Sequence, residues 1–374
     1  MQNPYRPIDF AKMACNTMMH RYEDVNSLPP VLDDGRASFN YHQGVLMTGM
    51  SRVYLVCHDE KYRQYIEKWV ESIQDEHGNI REYTGWLSLE SLDFRQPGNV
   101  LSFMYEQTGE RHYLDLLAYL TEDLYNNYPR NQYGGFWHFY STPDQMWLDG
   151  LYMAGPLLAK YARYAQKPEY LDLAVKQILL MYSNMRDEKS GLLFHGWDPG
   201  KNAEWADKNT GLSPEVWGRA CGWFVLAIAD ILDYVPENYC NRQRIIEIFN
   251  NIISSIIRYQ SAEGRWYEVV NKWEDEGNWP ENSCTCLFIY AIAKGVRMGY
   301  LPQTYLESAR KAYERVIETL EEVSEEGFSI GDICVGTCIE NGTYEHYINR
   351  DRVANDLHGI GAFLLMASEM ELVL

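Results

Sequence analysis

An all-α ring of paired helices, an (α/α)6 toroid, is the fold that this chain of 374 residues predicts. Three observations carry the prediction. A tyrosine opens a helical segment at Tyr62, Tyr113, Tyr170, Tyr239 and Tyr305, about every 50 to 70 residues, the spacing of stacked or ring-arranged units. A polar residue stands 20 or 21 positions before each of them: His42, Asp93, Asp149, Arg219 and Thr285. After each of these residues comes a small and apolar run, then a short polar turn, then an amphipathic segment.

The elements follow in order. IDFAKMACNTMMHRY, near the start, reads as an outer helix. Five inner–outer pairs then run from residue 40 to about 322. Their inner members are GVLMTGMSRVYLVC from Gly44, GNVLSFMYEQ from Gly98, GLYMAGPLLAKYA from Gly150, CGWFVLAIADIL from Cys221 and CLFIYAIAKGV from Cys286. Apolar side chains on nearly every face mark a buried helix, and the single charged face of the following segment marks an outer one. The last segment, DLHGIGAFLLMASEM, looks inner, so with the first it makes a sixth pair that seals the ring. An open solenoid would call for polar caps at both ends, which this apolar last helix does not supply. The chain thus reads as a single catalytic domain spanning 1–374, of a length that suits a monomer.

Inner-to-outer turns are short and outer-to-inner loops are long, for instance 182–216 and 322–354. Long loops in a compact domain are commonly functional. Trp86, Trp137, Trp147, Trp197, Trp205, Trp217, Trp266, Trp273 and Trp279 fall in them, which predicts an aromatic-walled cleft at one end of the barrel. Core filling accounts for most of the 29 Tyr and 11 Trp residues. The inner helices would point their free N–H groups and positive dipole ends into that cleft, an arrangement suited to carboxylates.

Composition narrows the partners. A formal charge of −20 argues against nucleic acid and against an anionic membrane surface. No stretch approaches a membrane span, and the N-terminal residues lack a basic segment followed by an apolar one. The eight cysteines form no CxxC pair and read as buried free thiols of a reducing cytoplasm. Cys284 and Cys286 lack a His or Cys at ligand spacing nearby, so no metal site is expected there. Walker, dinucleotide, G-x-S-x-G and HExxH signatures are absent.

Candidate chemistry gathers at the register positions. Asp149 (DQMWLDG) and Asp93 (SLDFRQPG) each suit a helix N-cap, but two carboxylates at matching register also suit acid–base work. Held close together, they would push one pKa upward and keep one proton near neutrality. His138 (GGFWH) and His195 (LFHGWD) occupy equivalent loops, each beside an aromatic residue, and His42 joins the rim with Tyr41. Arg219 has the planar fork for a substrate carboxylate, with a salt bridge as its ordinary alternative, and Trp217 and Trp223 flank it. Gly336 and Thr337 in GDICVGT are small enough to meet a ligand through backbone N–H groups.

These segments together resemble the unsaturated rhamnogalacturonyl hydrolases, glycoside hydrolase family 105, relatives of the unsaturated glucuronyl hydrolases. The matching stretches are YHQGV at 41–45, GGFWH at 134–138, QMWLDGLYM at 145–153, GLLFHGWD at 191–198, SPEVWGRACGW at 213–223, YAIAKG at 290–295, DICVGT at 332–337 and NDLHGIGAF at 355–363. The resemblance implies an (α/α)6 barrel with Asp149 as catalytic acid/base and Asp93 assisting. It also implies substrate contacts at Tyr41, His138, His195, Arg219, Trp223, Gly336 and Thr337, to which the reading of the register and rim adds His42, Trp147 and Trp217. It further implies a small oligosaccharide substrate with an unsaturated uronic acid, and hydration of its C4–C5 double bond with no metal or organic cofactor. An epimerase of the same fold, using His138 and His195 as acid and base, or a hydrolase of another unsaturated uronide are the alternatives.

Overall fold

The structure is a computed structural model that describes residues 4–32, 35, 38–83, 87–324 and 327–374. Six helices are buried on most faces: α2 (Tyr41–Cys57), α4 (Gly98–Thr108), α6 (Gly150–Ala165), α8 (Gly218–Ile231), α10 (Asn282–Arg297) and α13 (Leu357–Glu371). In α8 every residue from Gly218 to Ile231 is buried, as a helix surrounded by other helices requires. Six others pack outside them: α1 (Pro7–Arg21), α3 (Glu60–Ser72), α5 (Arg111–Asn126), α7 (Pro168–Asn184), α9 (Arg242–Arg258) and α11 (Leu306–Glu318). The outer α9 buries Ile245, Ile248, Phe249, Ile252, Ile253 and Ile256, a single stripe at helical spacing.

The inner helices contact one another in the cyclic order α2, α4, α6, α8, α10, α13 and back to α2. The outer α1 packs on α13, so the first and last helices form the sixth pair, as expected. At this seam glycines let two backbones meet. A Cβ on Gly361 would lie 2.5 Å from the Val45 carbonyl oxygen, and one on Gly49 would lie 2.7 Å from that of Gly361.

Small strands trim the loops at the end of the barrel where the inner helices begin. β1 (Met146–Trp147) pairs antiparallel with β2 (Gly196–Trp197), and β5 (Ile333–Cys334) pairs with β6 (Arg352–Val353), enclosing the short helix α12 (Tyr344–Ile348). β3 (Leu320–Val323) and β4 (Phe328–Ile330) form a further antiparallel pair. None of these strands was expected. Among the described residues no helix is long and apolar enough to cross a membrane.

Candidate active site

A cavity of about 670 Å³ opens where the inner helices begin, lined by Tyr41, His42, Asp93, His138, Trp147 and Asp149, with Gly336 and Thr337 opposite. The same backbone device places both aspartates. Leu148, just before Asp149, donates its N–H to the His195 carbonyl at 2.9 Å. Leu92, just before Asp93, donates likewise to the His138 carbonyl at 3.1 Å. Each link carries the histidine side chain to the neighbouring carboxylate: His195 Nε2 lies 3.0 Å from Asp149 Oδ2, and His138 Nε2 lies 3.3 Å from Asp93 Oδ1. Successive repeats thus build the same Asp–His pair twice.

Asp149 occupies the N-cap position of α6, yet its side chain accepts no hydrogen bond from the helix. Capping therefore does not explain this aspartate. Its Oδ2 and His195 Nε2 are close but off the hydrogen-bond axis, as catalytic pairs often are before substrate tightens them. Burial pushes the Asp149 carboxyl up, but His195, His138 and Arg219 outweigh it and hold the pKa below the ordinary aspartate value. At Asp149 the expected upward push is thus overturned, because its carboxylate faces the His195 imidazole. Desolvation likewise pushes fully buried His195 below the usual imidazole value, against the pull of Asp149. At neutral pH the free site holds an ionised Asp149 beside a neutral His195.

Tyr347 of α12 fixes the tautomer of that imidazole. Its hydroxyl lies 2.7 Å from His195 Nδ1 and has no other hydrogen-bond partner among the described residues. Burial raises its pKa, so it stays a neutral phenol, and with the ionised Asp149 at Nε2 its O–H donates to Nδ1. The remaining ring proton then sits on Nε2, facing Asp149.

His42 belongs to a third acid–imidazole group. Asp356 Oδ1 lies 2.7 Å from His358 Nδ1 and 3.2 Å from His42 Nδ1. These three ligand-type atoms lie within 4.8 Å of one another, the one such set of metal-ligand types among the described residues. Hydrogen bonding accounts for the same arrangement, since each imidazole can donate its Nδ1–H to that oxygen while Asp356 also caps α13. The His42 ring edge then faces Gly336, where a Cβ would lie 3.3 Å from His42 Nε2 and 3.4 Å from Tyr41 Oη.

Other expected contacts lie below the floor. Arg219 is buried, and its fork donates to the carbonyls of Cys334 and Val335, each at 2.6 Å, while its guanidinium stacks over Trp217 at 4.3 Å. The free carboxylate clamp expected of Arg219 is therefore already occupied; the residue braces the segment that presents Gly336 and Thr337. Trp217 is buried with its indole N–H 2.8 Å from Glu268 Oε1, and Trp223 stacks on Tyr152 at 5.0 Å. Neither lines the cavity, so their expected substrate contact is not seen. Burial raises Glu268 to about 7, with Glu281 adding to the push and Arg219 opposing it. His195 also lies beneath the floor and reaches the cavity through Asp149.

Of the loop tryptophans, Trp147 and Trp205 line the cavity. Trp217, Trp266 and Trp279 are core residues, and Trp86 lies outside the described residues. The predicted aromatic cleft is thus narrower than expected. Trp147 presents its face with His138 stacked on it at 4.5 Å. Among the cysteines, Cys240 and Cys338 are exposed, against the expectation of uniform burial, and Cys338 lines the cavity. Tyr347, Asp356 and His358 were missed as site residues, although the last two lie within the NDLHGIGAF motif.

Comparison with known proteins identifies the family of this fold. The profile described as Glycosyl Hydrolase Family 88 matches residues 10–374. A solved family 105 glycoside hydrolase of C. acetobutylicum ATCC 824 is 32% identical, with a TM-score of 0.89 over 97% of this chain and 99% of that one. The unsaturated rhamnogalacturonyl hydrolase YesR of Bacillus subtilis is 23% identical over 76% of this chain and 77% of its own. An unsaturated 3S-rhamnoglycuronyl hydrolase of Formosa agariphila is 27% identical over 60% of this chain and 57% of its own.

Proposed function

The chain belongs to Glycosyl Hydrolase Family 88, and from that footing we propose that it removes a C4–C5 unsaturated galacturonyl residue from the non-reducing end of rhamnogalacturonan oligosaccharides. The observation that carries the reading is Asp149: a carboxylate at a helix start that caps nothing, sits on the cavity and faces a buried imidazole.

The unsaturated ring lies over Trp147. Its carboxylate meets the N–H groups of Gly336 and Thr337, for which the described residues offer no acceptor, beside His42. Bound there, the substrate brings negative charge and displaces water, and both raise the pKa of Asp149 until it holds a proton. Asp149 gives that proton to C4, and positive charge develops at C5 and the ring oxygen. The ionised carboxylate then takes a proton from a water that adds at C5. The resulting hemiketal opens by breaking the bond from C5 to the ring oxygen, leaving a ketone at C5. The former anomeric carbon collapses to an aldehyde and releases the aglycone, so one water is consumed in all. His195 steadies the carboxylate through both transfers, and Asp93 with His138 orients the ring hydroxyls.

The test follows the ultraviolet absorbance of the C4–C5 double bond in an unsaturated galacturonyl–rhamnose disaccharide. The wild-type protein should abolish it, and Asp149→Asn should slow the loss by about 10²–10⁴-fold. Unchanged absorbance with the wild type across several unsaturated uronides overturns the reading.

A further inference from the structure

The far wall of the cavity carries charges that the proposed hydration does not use. Where the floor holds Asp149 and Asp93, the rim holds Glu204 and Glu340, and the lining residues include no Lys or Arg. Both rim acids are held in place by their neighbours. Glu204 lies between Ala203 and Trp205, which pack with Trp147, Ala206 and Ile339 in a small apolar cluster of their own. Glu340 directly follows Ile339 of that cluster, with a φ of 50° in the left-handed region. Gly196 lies directly beneath, where a Cβ would be 2.3 Å from Ile339 Cδ1 and 3.1 Å from the Trp205 ring. The two acids thus stand on a packed shelf above Trp147 and not on loose loops.

Their neutralisation differs. Glu340 has His346 at 3.3 Å and Arg350 at 3.9 Å. Arg350 is itself turned inward, donating to the Gly336 carbonyl at 2.7 Å. Glu204 is exposed and has no ion-pair partner among the described residues. In the proposed pose, with the unsaturated ring on Trp147 near Asp149, the aglycone would leave the cavity past this shelf.

We infer that Glu204, with Glu340, makes the aglycone subsite selective for an uncharged sugar and rejects one bearing sulfate or carboxylate. The inference rests on the proposed reading of the floor and names the substrate class that this site takes. Repulsion between like charges is a way of refusing a partner without changing the contacts to the accepted one. Because the rim faces solvent, the repulsion is open to screening by salt.

The experiment compares two disaccharides, unsaturated galacturonyl–rhamnose and the same compound with a 3-O-sulfate on the rhamnose. Wild-type kcat/KM should be lower for the sulfated compound by at least about tenfold. Glu204→Gln should narrow that gap several-fold and Glu204→Lys should close or invert it, while raised salt should narrow it for the wild type alone. Equal or faster turnover of the sulfated compound by the wild type overturns the inference. So does a gap that neither Glu204 variant nor salt alters, since the exclusion would then be steric. Failure of the wild type on both compounds overturns the reading of the floor itself, and the rim inference with it.

Discussion

At Asp149 a single missing capping hydrogen bond marks out the aspartate proposed as the acid. The proton economy of the site depends on His195, and His195 depends on Tyr347. In the free enzyme both Asp149 and His195 release their protons below their ordinary values, so the protonated pair is the low-pH form. We therefore expect kcat/KM to rise as pH is lowered from about 8 toward about 5, and to fall as pH increases, because proton uptake must accompany substrate binding. Tyr347→Phe removes the donor to Nδ1 and lets the ring proton move there, away from Asp149. That variant should lose about tenfold or more in kcat and displace the pH profile, with KM little changed; a profile identical to wild type would assign Tyr347 a packing role only. Sequence made the two aspartates and two histidines legible because repeats place them at equivalent positions. It could not show that the Arg219 fork was already filled by two carbonyls. Tyr347, 152 residues from its histidine in a five-residue helix too short to show a period, left no signal at all.

The helices were readable for a different reason: burial on all faces or on one face leaves a compositional trace. The short strands left none, since two-residue strands have no period to detect, yet the β1–β2 pair sets Asp149 beside His195. A charged residue inside an apolar run was equally opaque. Lys294, in the last turn of α10, is buried and bonded at 2.6 Å to both Asp230 and Asp233, with Asp230 also within 3.6 Å of Arg52 on α2. This network ties α2, α8 and α10 together, Lys294 and Asp230 lying toward the C-terminal ends of their helices, away from the cavity. Lys294→Met leaves Asp230 charged and short of a partner, and should cost about 3–5 kcal/mol of stability. Thermal denaturation should register the loss, while kcat/KM at a permissive temperature stays near wild type. A variant as stable as wild type would show that Arg52 and the Tyr290 hydroxyl satisfy Asp230 without Lys294.

At the scale of the molecule, the ring depends on one seam. Closure needs α13 against α2 with no side chain between Gly361 and Val45. Gly361→Val should force those backbones apart and destabilise the fold by about 1–3 kcal/mol or more, read as a lower melting temperature. The same substitution at Gly109, where an added Cβ meets nothing within 4 Å but φ is +71°, should cost through backbone strain alone, without disturbing the seam. The seam has a further consequence for the order in which the protein can mature. α13 leaves the ribosome after the other eleven barrel helices, and it is the common partner of α1, α2 and α10. Until α13 emerges those helices must wait with apolar flanks uncovered, and the long-range contacts that close the ring form only then. Nascent chains stalled before Leu357 should therefore be captured by holdase chaperones, and chains stalled far enough downstream for α13 to emerge should escape that capture.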